Sequence, residues 1–215
     1  MIFRRKSARE AEWAALKKQE DRFLQNTGTE SQPFINRQLE RFVPDRLSSA
    51  LDLAFCKAFE LVFEKGTGAS GMGLGALGIG LPDIPLFTGM ILKAIYELAL
   101  SYGFTYDTAD EQCFILRLIR IPFLSGEERV MSDEELNRMI TQSASLPPEQ
   151  AFTGLNKKEE IRLTAEALSH ELLYMKLLQG IPIAGVIGGM YDAVYMKKIT
   201  DYAEMKYKRR FLEGI

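Results

Sequence analysis

The chain has 215 residues, 47% apolar and 26% charged, which excludes wholesale disorder and suffices for one substantial domain or two small ones. Lysine plus arginine number 27 against 29 aspartate plus glutamate, a formal net charge of −2 that speaks against a nucleic-acid binder. Two cysteines, Cys56 and Cys113, make neither a disulfide framework nor a four-cysteine zinc site, and one histidine, His170, removes every mechanism that needs two.

The opening residues, MIFRRKSAREAEWAALKKQEDR, are basic but have no apolar stretch behind them, so they do not read as a secretory signal. Unpaired cysteines agree with a reducing, cytoplasmic setting. Residues 8–25 carry Ala11, Ala14, Ala15, Leu16 and Phe23 among many charges, the pattern of an exposed helix. Residues 33–44 read as a connector with a short helical piece between two prolines. Asp45 then opens a strong helix, with Leu47, Leu51, Ala54, Phe55, Ala58, Phe59 and Val62 repeating at three- and four-residue steps.

A glycine run follows over 66–80, and Pro82 and Pro85 fall at the first turn of the next helix, where a missing N–H costs little. The apolar stripe of that helix is Ile84, Phe87, Ile91, Ala94, Ile95 and Leu98, and Tyr102-Gly103 ends it, with Gly103 at the C′ position. Thr108 with Glu111 forms a capping box ahead of CFILRLI, Ser132 with Glu135 repeats the spacing, and Asn156 with Glu159 does so with an asparagine cap. The last of these opens a helix whose apolar face is Ile161, Ala165, Leu168, Leu172 and Met175. Residues 125–133 and 143–155 read as loops. After Gly180 and Pro182 a final helix runs to about residue 211. The expected fold is therefore all-α, with 1–44 a helical arm and connector and 45–215 a single helical domain.

Two glycine-rich stretches interrupt this pattern. The first contains G-x-G-x-x-G twice, at Gly66, Gly68, Gly71 and at Gly73, Gly75, Gly78. A dinucleotide site needs that motif between a strand and a helix, and residues 45–64 are patterned as a helix instead. Gly71 and Gly75, like Gly185 and Gly189, are four apart and would line one helix face, letting another helix approach closely. Glycine costs about 1 kcal/mol relative to alanine inside a helix, so such faces need a compensating contact. Two closely packed helical hairpins in a soluble core would supply it. So would insertion into, or packing against, a bilayer or a membrane protein. The uncharged stretches 66–82 and 177–191 are too short and too glycine-rich for convincing membrane spans.

The block KGTGASGMGLGALGIGLPDIPLFTGMILKAIYELALSYGF and the tail IPIAGVIGGMYDAVYMKKITDYAEMKYKRRFLE together resemble the EcsC protein family, over about residues 45–212. The matching positions are Thr67, Gly68, Gly71, Gly75, Pro82, Asp83, Lys93, Tyr102, Gly103, Pro182, Gly185 and Gly189. Where many members place an asparagine after the last glycines, Tyr191 and Asp192 stand here. The family is named for a bacterial operon whose other products resemble the ATPase and membrane subunits of an ABC transporter. What the resemblance implies is an accessory role beside such a transporter.

Among ionisable residues, Asp83 lies between Pro82 and Ile84 and reads either as a helix N-terminal carboxylate or as a buried acid meeting a cation or partner. Lys93 and Glu97, four apart, read as a surface ion pair or as contacts facing a groove. His170-Glu171 lacks the second histidine of a zincin, because Tyr174 occupies that position. Ser70 lacks the spacing of a nucleophile elbow. Tyr191, Tyr195 and Tyr202 share a face of the last helix, with Lys197, Lys198, Lys206, Lys208, Arg209 and Arg210 along or beyond it. That combination suits a membrane interface, as does the basic Arg4, Arg5, Lys6 and Arg9, or else a core-facing tyrosine stripe with a solvated charged side.

The expected function is a non-enzymatic accessory protein at the inner face of the cell membrane, with no metal or other cofactor. Its partner would be a membrane protein, such as ABC transporter subunits, or an anionic lipid surface, and not nucleic acid. Two alternatives stay open: a hydrolase or lipid-modifying enzyme using carboxylates such as Asp83 and Glu97, and a self-associating scaffold.

Overall fold

The computed structural model describes residues 2–25, 45–66, 83–145, 152, 154–178 and 190–214. The connector 33–44 and both glycine-rich stretches lie outside them. With those stretches go Thr67, Gly68, Gly71, Gly75, Pro82, Pro182, Gly185 and Gly189, and of Asp83 only the backbone is described.

The described residues form seven α-helices and no strand. They are α1 (Ile2–Gln25), α2 (Asp45–Lys65), α3 (Asp83–Ser101), α4 (Ala109–Arg120), α5 (Gly126–Ser143), α6 (Lys157–Leu178) and α7 (Met190–Glu213), with a 3₁₀ turn at Ile121–Phe123 after α4. The chain is all-α, as its punctuation predicts. α2 packs on α3 and α6, α6 also on α4, and α7 touches α1, α3, α4 and α5.

The stripe of α2 is buried as read from Leu51 to Val62. Each large side chain buried this way contributes about 1.5–3 kcal/mol. Because α2 precedes the glycine run, the strand that a dinucleotide fingerprint requires is replaced by a helix. In α4 every residue from Glu111 to Ile119 is buried, so this helix is enclosed on all sides.

The end of α3 follows the expected chemistry. Gly103 takes φ +82°, the Phe104 N–H donates to the Ala99 carbonyl at 3.0 Å, and the Gly103 N–H donates to Leu100 at 3.0 Å. This is a Schellman closure, and the left-handed residue it needs is cheapest as glycine. Its outcome is positional: Phe104 and Tyr102 are delivered against Tyr207 of α7, with ring centroids 5.8 and 6.4 Å away.

Two expectations need correction. Residues 125–133 are not a loop: Ser125 precedes a helix beginning at Gly126, and Ser132 and Glu135 lie inside it. The inward stripe of α5 is Arg129, Asp133, Leu136, Ile140 and Ser143. Its spacing is helical, but its first two members are charged, so hydrophobic periodicity does not register them. The Arg129 guanidinium also donates back to the carbonyls of Leu124 at 2.7 Å and Pro122 at 3.2 Å, closing the turn before the helix.

The second correction concerns α1, whose helix is not exposed along its whole length. Leu16 and Glu20 are buried, Trp13 and Phe23 pack on the core, and Arg9 donates to the Leu212 carbonyl at the end of α7 at 2.7 Å.

Candidate functional site

The charges of α7 divide into those that hold the fold and those that face a pocket. Lys206 is fully buried. Its Nζ lies 2.8 Å from Asp133 Oδ1, 3.1 Å from Glu20 Oε1 and 2.8 Å from Asn137 Oδ1. The Tyr202 hydroxyl donates to the same Asp133 oxygen at 2.7 Å, and burial beside that carboxylate pushes the phenol well above its ordinary pKa. One ammonium thus ties α1, α5 and α7 together.

A turn further on, Arg210 donates to both Glu111 oxygens at 2.8 and 2.7 Å, and the Tyr207 hydroxyl joins at 3.0 Å. The guanidinium lies over the rings of Phe104, Phe152 and Phe114, 4.1, 4.8 and 5.2 Å from their centroids. Burial raises the Glu111 carboxyl, against the opposing pull of Arg210 and Tyr207. The capping box at Thr108 is therefore half formed. Thr108 Oγ1 accepts from the Glu111 N–H at 3.1 Å, but the Glu111 side chain turns away to α7. A third buried pair joins α4 to α6 through Arg117 and Glu160 at 2.8 Å, with Arg120 3.2 Å from the same carboxylate.

These pairs revise both readings of the last helix. Tyr195 and Tyr202 do face the core, but Lys206 and Arg210 are buried with them rather than solvated. Lys197 is exposed and paired with Asp201. The Tyr191 side chain and those of Arg4, Arg5 and Lys6 lie outside the description.

Lys93 and Glu97 form the surface pair of the simpler expectation, both exposed and 3.9 Å apart. Tyr102 and Gly103 serve the α3 closure. Asp52, beside Ser169, is raised by burial. Cys113 is buried, its thiol pushed up to about 11 by the same cause, and Cys56 is half-buried, so both read as core residues. His170 is half-buried. Among the described residues no three acidic, cysteine or histidine side chains gather as metal ligands.

Two open pockets lie among the described residues. One, of about 530 Å³, is bounded by Arg120, Ser125, Glu128, Arg162, Glu166 and His170. Its cations are largely satisfied, Arg162 by Glu159 and Glu166 and Arg120 by Glu160. The other, of about 580 Å³, lies between α1, α5 and α7 over Phe23 and Tyr202, and Arg22, Arg129, Lys198 and Lys208 stand around it. Lys198 and Lys208 are in the basic series read from the sequence. Arg22 and Arg129 are not, and only the fold brings them there.

The family model described as "EcsC protein family" matches residues 65–212. The chain belongs to the EcsC protein family. The matched region starts later than the resemblance proposed, at the end of α2, and takes in α3 to α7. Among curated proteins, the chain is similar to the protein named EcsC of Bacillus subtilis (strain 168), 23% identical over 173 residues, covering 77% of this chain and 68% of that protein. It is also similar to the uncharacterised protein YdbA of the same organism, 26% identical over 148 residues, or 66% of this chain. The match spans about half of YdbA, 51% of its length. No solved structure matches.

The region that matches the EcsC family encloses buried ion pairs of the core. Glu111–Arg210, Asp133–Lys206 and Arg117–Glu160 all lie within it.

Proposed function

We propose that this EcsC-family chain is a non-enzymatic accessory module of the inner membrane face, acting by contact with a membrane protein or with anionic lipid. The observation that carries the reading is α3. Its 18-residue window Ile84–Ser101 has a mean hydropathy of 1.4 and is half buried, the one described helix long and apolar enough to cross a membrane. Sequence inspection of uncharged stretches passes over it because Lys93 and Glu97 interrupt the run. Ile84, Ile91 and Ile95 face the core, while Leu86, Met90 and Leu100 stay exposed beside Lys93 and Glu97. Apolar side chains grouped on an outward face favour a partner surface.

The carboxylates do not support the hydrolytic alternative. Glu97 bounds neither described pocket, and Glu111, Asp133 and Glu160 are engaged by cations inside the core.

The test is flotation of the purified chain with anionic and zwitterionic vesicles, with crosslinking in cells to capture transporter subunits. Leu86→Glu with Met90→Glu, on the exposed side of α3, should abolish association while leaving the thermal midpoint unchanged. Association unaltered by that double change, or absent in the parent with both vesicles and cells, overturns the reading.

A further inference from the structure

We propose that the pocket between α1, α5 and α7 is a binding site for a phosphomonoester group. The pocket is separate from the α3 face, so the two readings stand or fall independently. Its floor is set: Phe23 packs on Tyr202 with centroids 4.6 Å apart, and the Arg129 guanidinium lies 5.2 Å over the Phe23 ring. Arg129 is itself buried and fixed by the carbonyls of Leu124 and Pro122, so this cation is positioned before any ligand arrives.

The charge balance points to the ligand. Arg22, Arg129, Lys198 and Lys208 stand around the pocket with Asp201 and Glu204. Asp201 is already held by Lys197, at 2.7 and 3.0 Å. Glu171 lies near Lys198, and its carboxyl is raised by burial. Four cations thus bound the pocket with two carboxylates, an excess of two positive charges, and Lys197 and Glu171 lie outside that lining.

Among the described residues, no carboxylate comes within ion-pair distance of Arg22, Lys198 or Lys208. Burial, reinforced by Arg129, depresses the Lys198 ammonium despite the Glu171 carboxylate. An entering dianion would relieve that penalty. A phosphomonoester carries about −1.5 to −2 at neutral pH and offers three acceptor oxygens, which suits one fixed guanidinium and the further cations around it. The neighbouring pocket does not share this excess, because its arginines already have carboxylate partners. A volume of about 580 Å³ is in the range of small-molecule sites and leaves room for more than the phosphate, over an apolar floor. Glycerol 3-phosphate and the headgroup of phosphatidic acid share this chemistry.

The full chain is titrated calorimetrically with glycerol 3-phosphate and with glycerol, and floated with vesicles containing phosphatidic acid or, at equal charge, phosphatidylglycerol. Binding to the soluble ester, to phosphatidic acid vesicles, or to both is expected, with glycerol inert and phosphatidylglycerol weaker. The soluble arm alone assigns a free phosphate ester, and the vesicle arm alone a lipid headgroup. Lys198→Gln with Lys208→Gln should weaken binding at least about tenfold. Lys197→Gln, which removes a nearby charge outside the pocket, should weaken it less than about twofold. Equal losses in the two variants, or no binding of glycerol 3-phosphate together with no preference for phosphatidic acid over phosphatidylglycerol, overturns the assignment. An unchanged thermal midpoint for the double variant shows that its loss is not unfolding, and Arg22→Gln provides a second weakened variant if that midpoint falls.

Discussion

Two lysines on α7 show how differently one residue type behaves nine positions apart. Lys197 meets Asp201 at 2.7 Å with both side chains mostly exposed, 74% and 60%. Lys206 meets Asp133 at 2.8 Å with exposures of 0% and 1%, and holds Glu20 and Asn137 as well. The distances differ by only 0.1 Å; the surroundings differ entirely. Around Lys197 water screens the pair and competes for both partners. Around Lys206 water is excluded, so each charge depends on the others to offset its desolvation. The number of ion pairs along a helix therefore says little about which of them hold the protein together.

The sharpest way to test this difference is Lys206→Met. The apolar stem is replaced with similar volume, but Asp133 and Glu20 are left in a dry interior. Removing one partner of a buried pair costs about 3–5 kcal/mol. Arg209 remains 2.9 Å from Glu20 and softens the loss on that side, whereas Asp133 keeps only the Tyr202 hydroxyl and the Asn137 amide. Urea unfolding should show a large fall in midpoint, and the added change Asp133→Asn should recover part of it. A loss below about 1 kcal/mol, the range of exposed pairs, would erase the distinction between the two lysines.

The same contrast explains what could be read without coordinates. The stripe of α2, the glycine closure of α3 and the Asn156 cap are local: each is set by residues within one or two turns. Asn156 Oδ1 accepts from the Lys158 and Glu159 N–H groups at 3.1 and 3.4 Å. The buried charges are not local. Glu111 and Arg210 are 99 residues apart, Tyr202 and Asp133 are 69, and nothing in helical spacing joins them. For the same reason the first part of α5, within 125–133, reads as a loop, since Arg129 and Asp133 occupy core positions that periodicity assigns to apolar side chains. The pocket was legible by half, in Lys198 and Lys208, because Arg22 and Arg129 come from distant helices. Of the contact surface expected at the glycine-rich stretches and the helix that Asp83 opens, the stretches and the Asp83 side chain fall outside the described residues, while the helix itself is α3.

Tyr207→Phe refines the contrast at the second buried pair. It removes one donor to Glu111 but leaves the two Arg210 contacts. A hydrogen bond to a charged group contributes about 1.5–3 kcal/mol, and the remaining bidentate contact places this loss at the low end of that range. Chemical denaturation should show a loss smaller than that of Lys206→Met. A loss as large would mean that the hydroxyl, rather than Arg210, compensates the buried carboxylate.

Glu171→Gln probes the boundary between the buried and exposed regimes. Burial raises the Glu171 carboxyl, against Lys198, His170 and Arg129. The native state therefore holds this proton to higher pH than the unfolded chain does. Its stabilising contribution is complete below the unfolded value and is lost as pH rises through the folded one. Stability measured from acid toward neutral pH should thus fall relative to Glu171→Gln over that window. An opposite slope would show that the surrounding cations outweigh burial. The half-exposed setting makes the change smaller than at Tyr207.

Lys197→Ala is the smallest change and the complement of the first. Lys197 lies on the solvent side of α7, and Asp201 four residues on is its only ion-pair partner among the described residues. An exposed pair at this spacing contributes about 0.3–0.5 kcal/mol, part of which alanine's better helix propensity returns. The unfolding free energy should shift by less than about 0.5 kcal/mol, and added salt should shrink even that shift. Asp201 is left free, but it faces water and suffers no desolvation. Its new freedom is felt instead at the neighbouring pocket, where a released carboxylate stands closer in effect to Lys198. A small stability change with a detectable weakening of phosphate-ester binding would place Lys197 where its exposure puts it, outside the fold's framework and at the edge of the pocket's electrostatics.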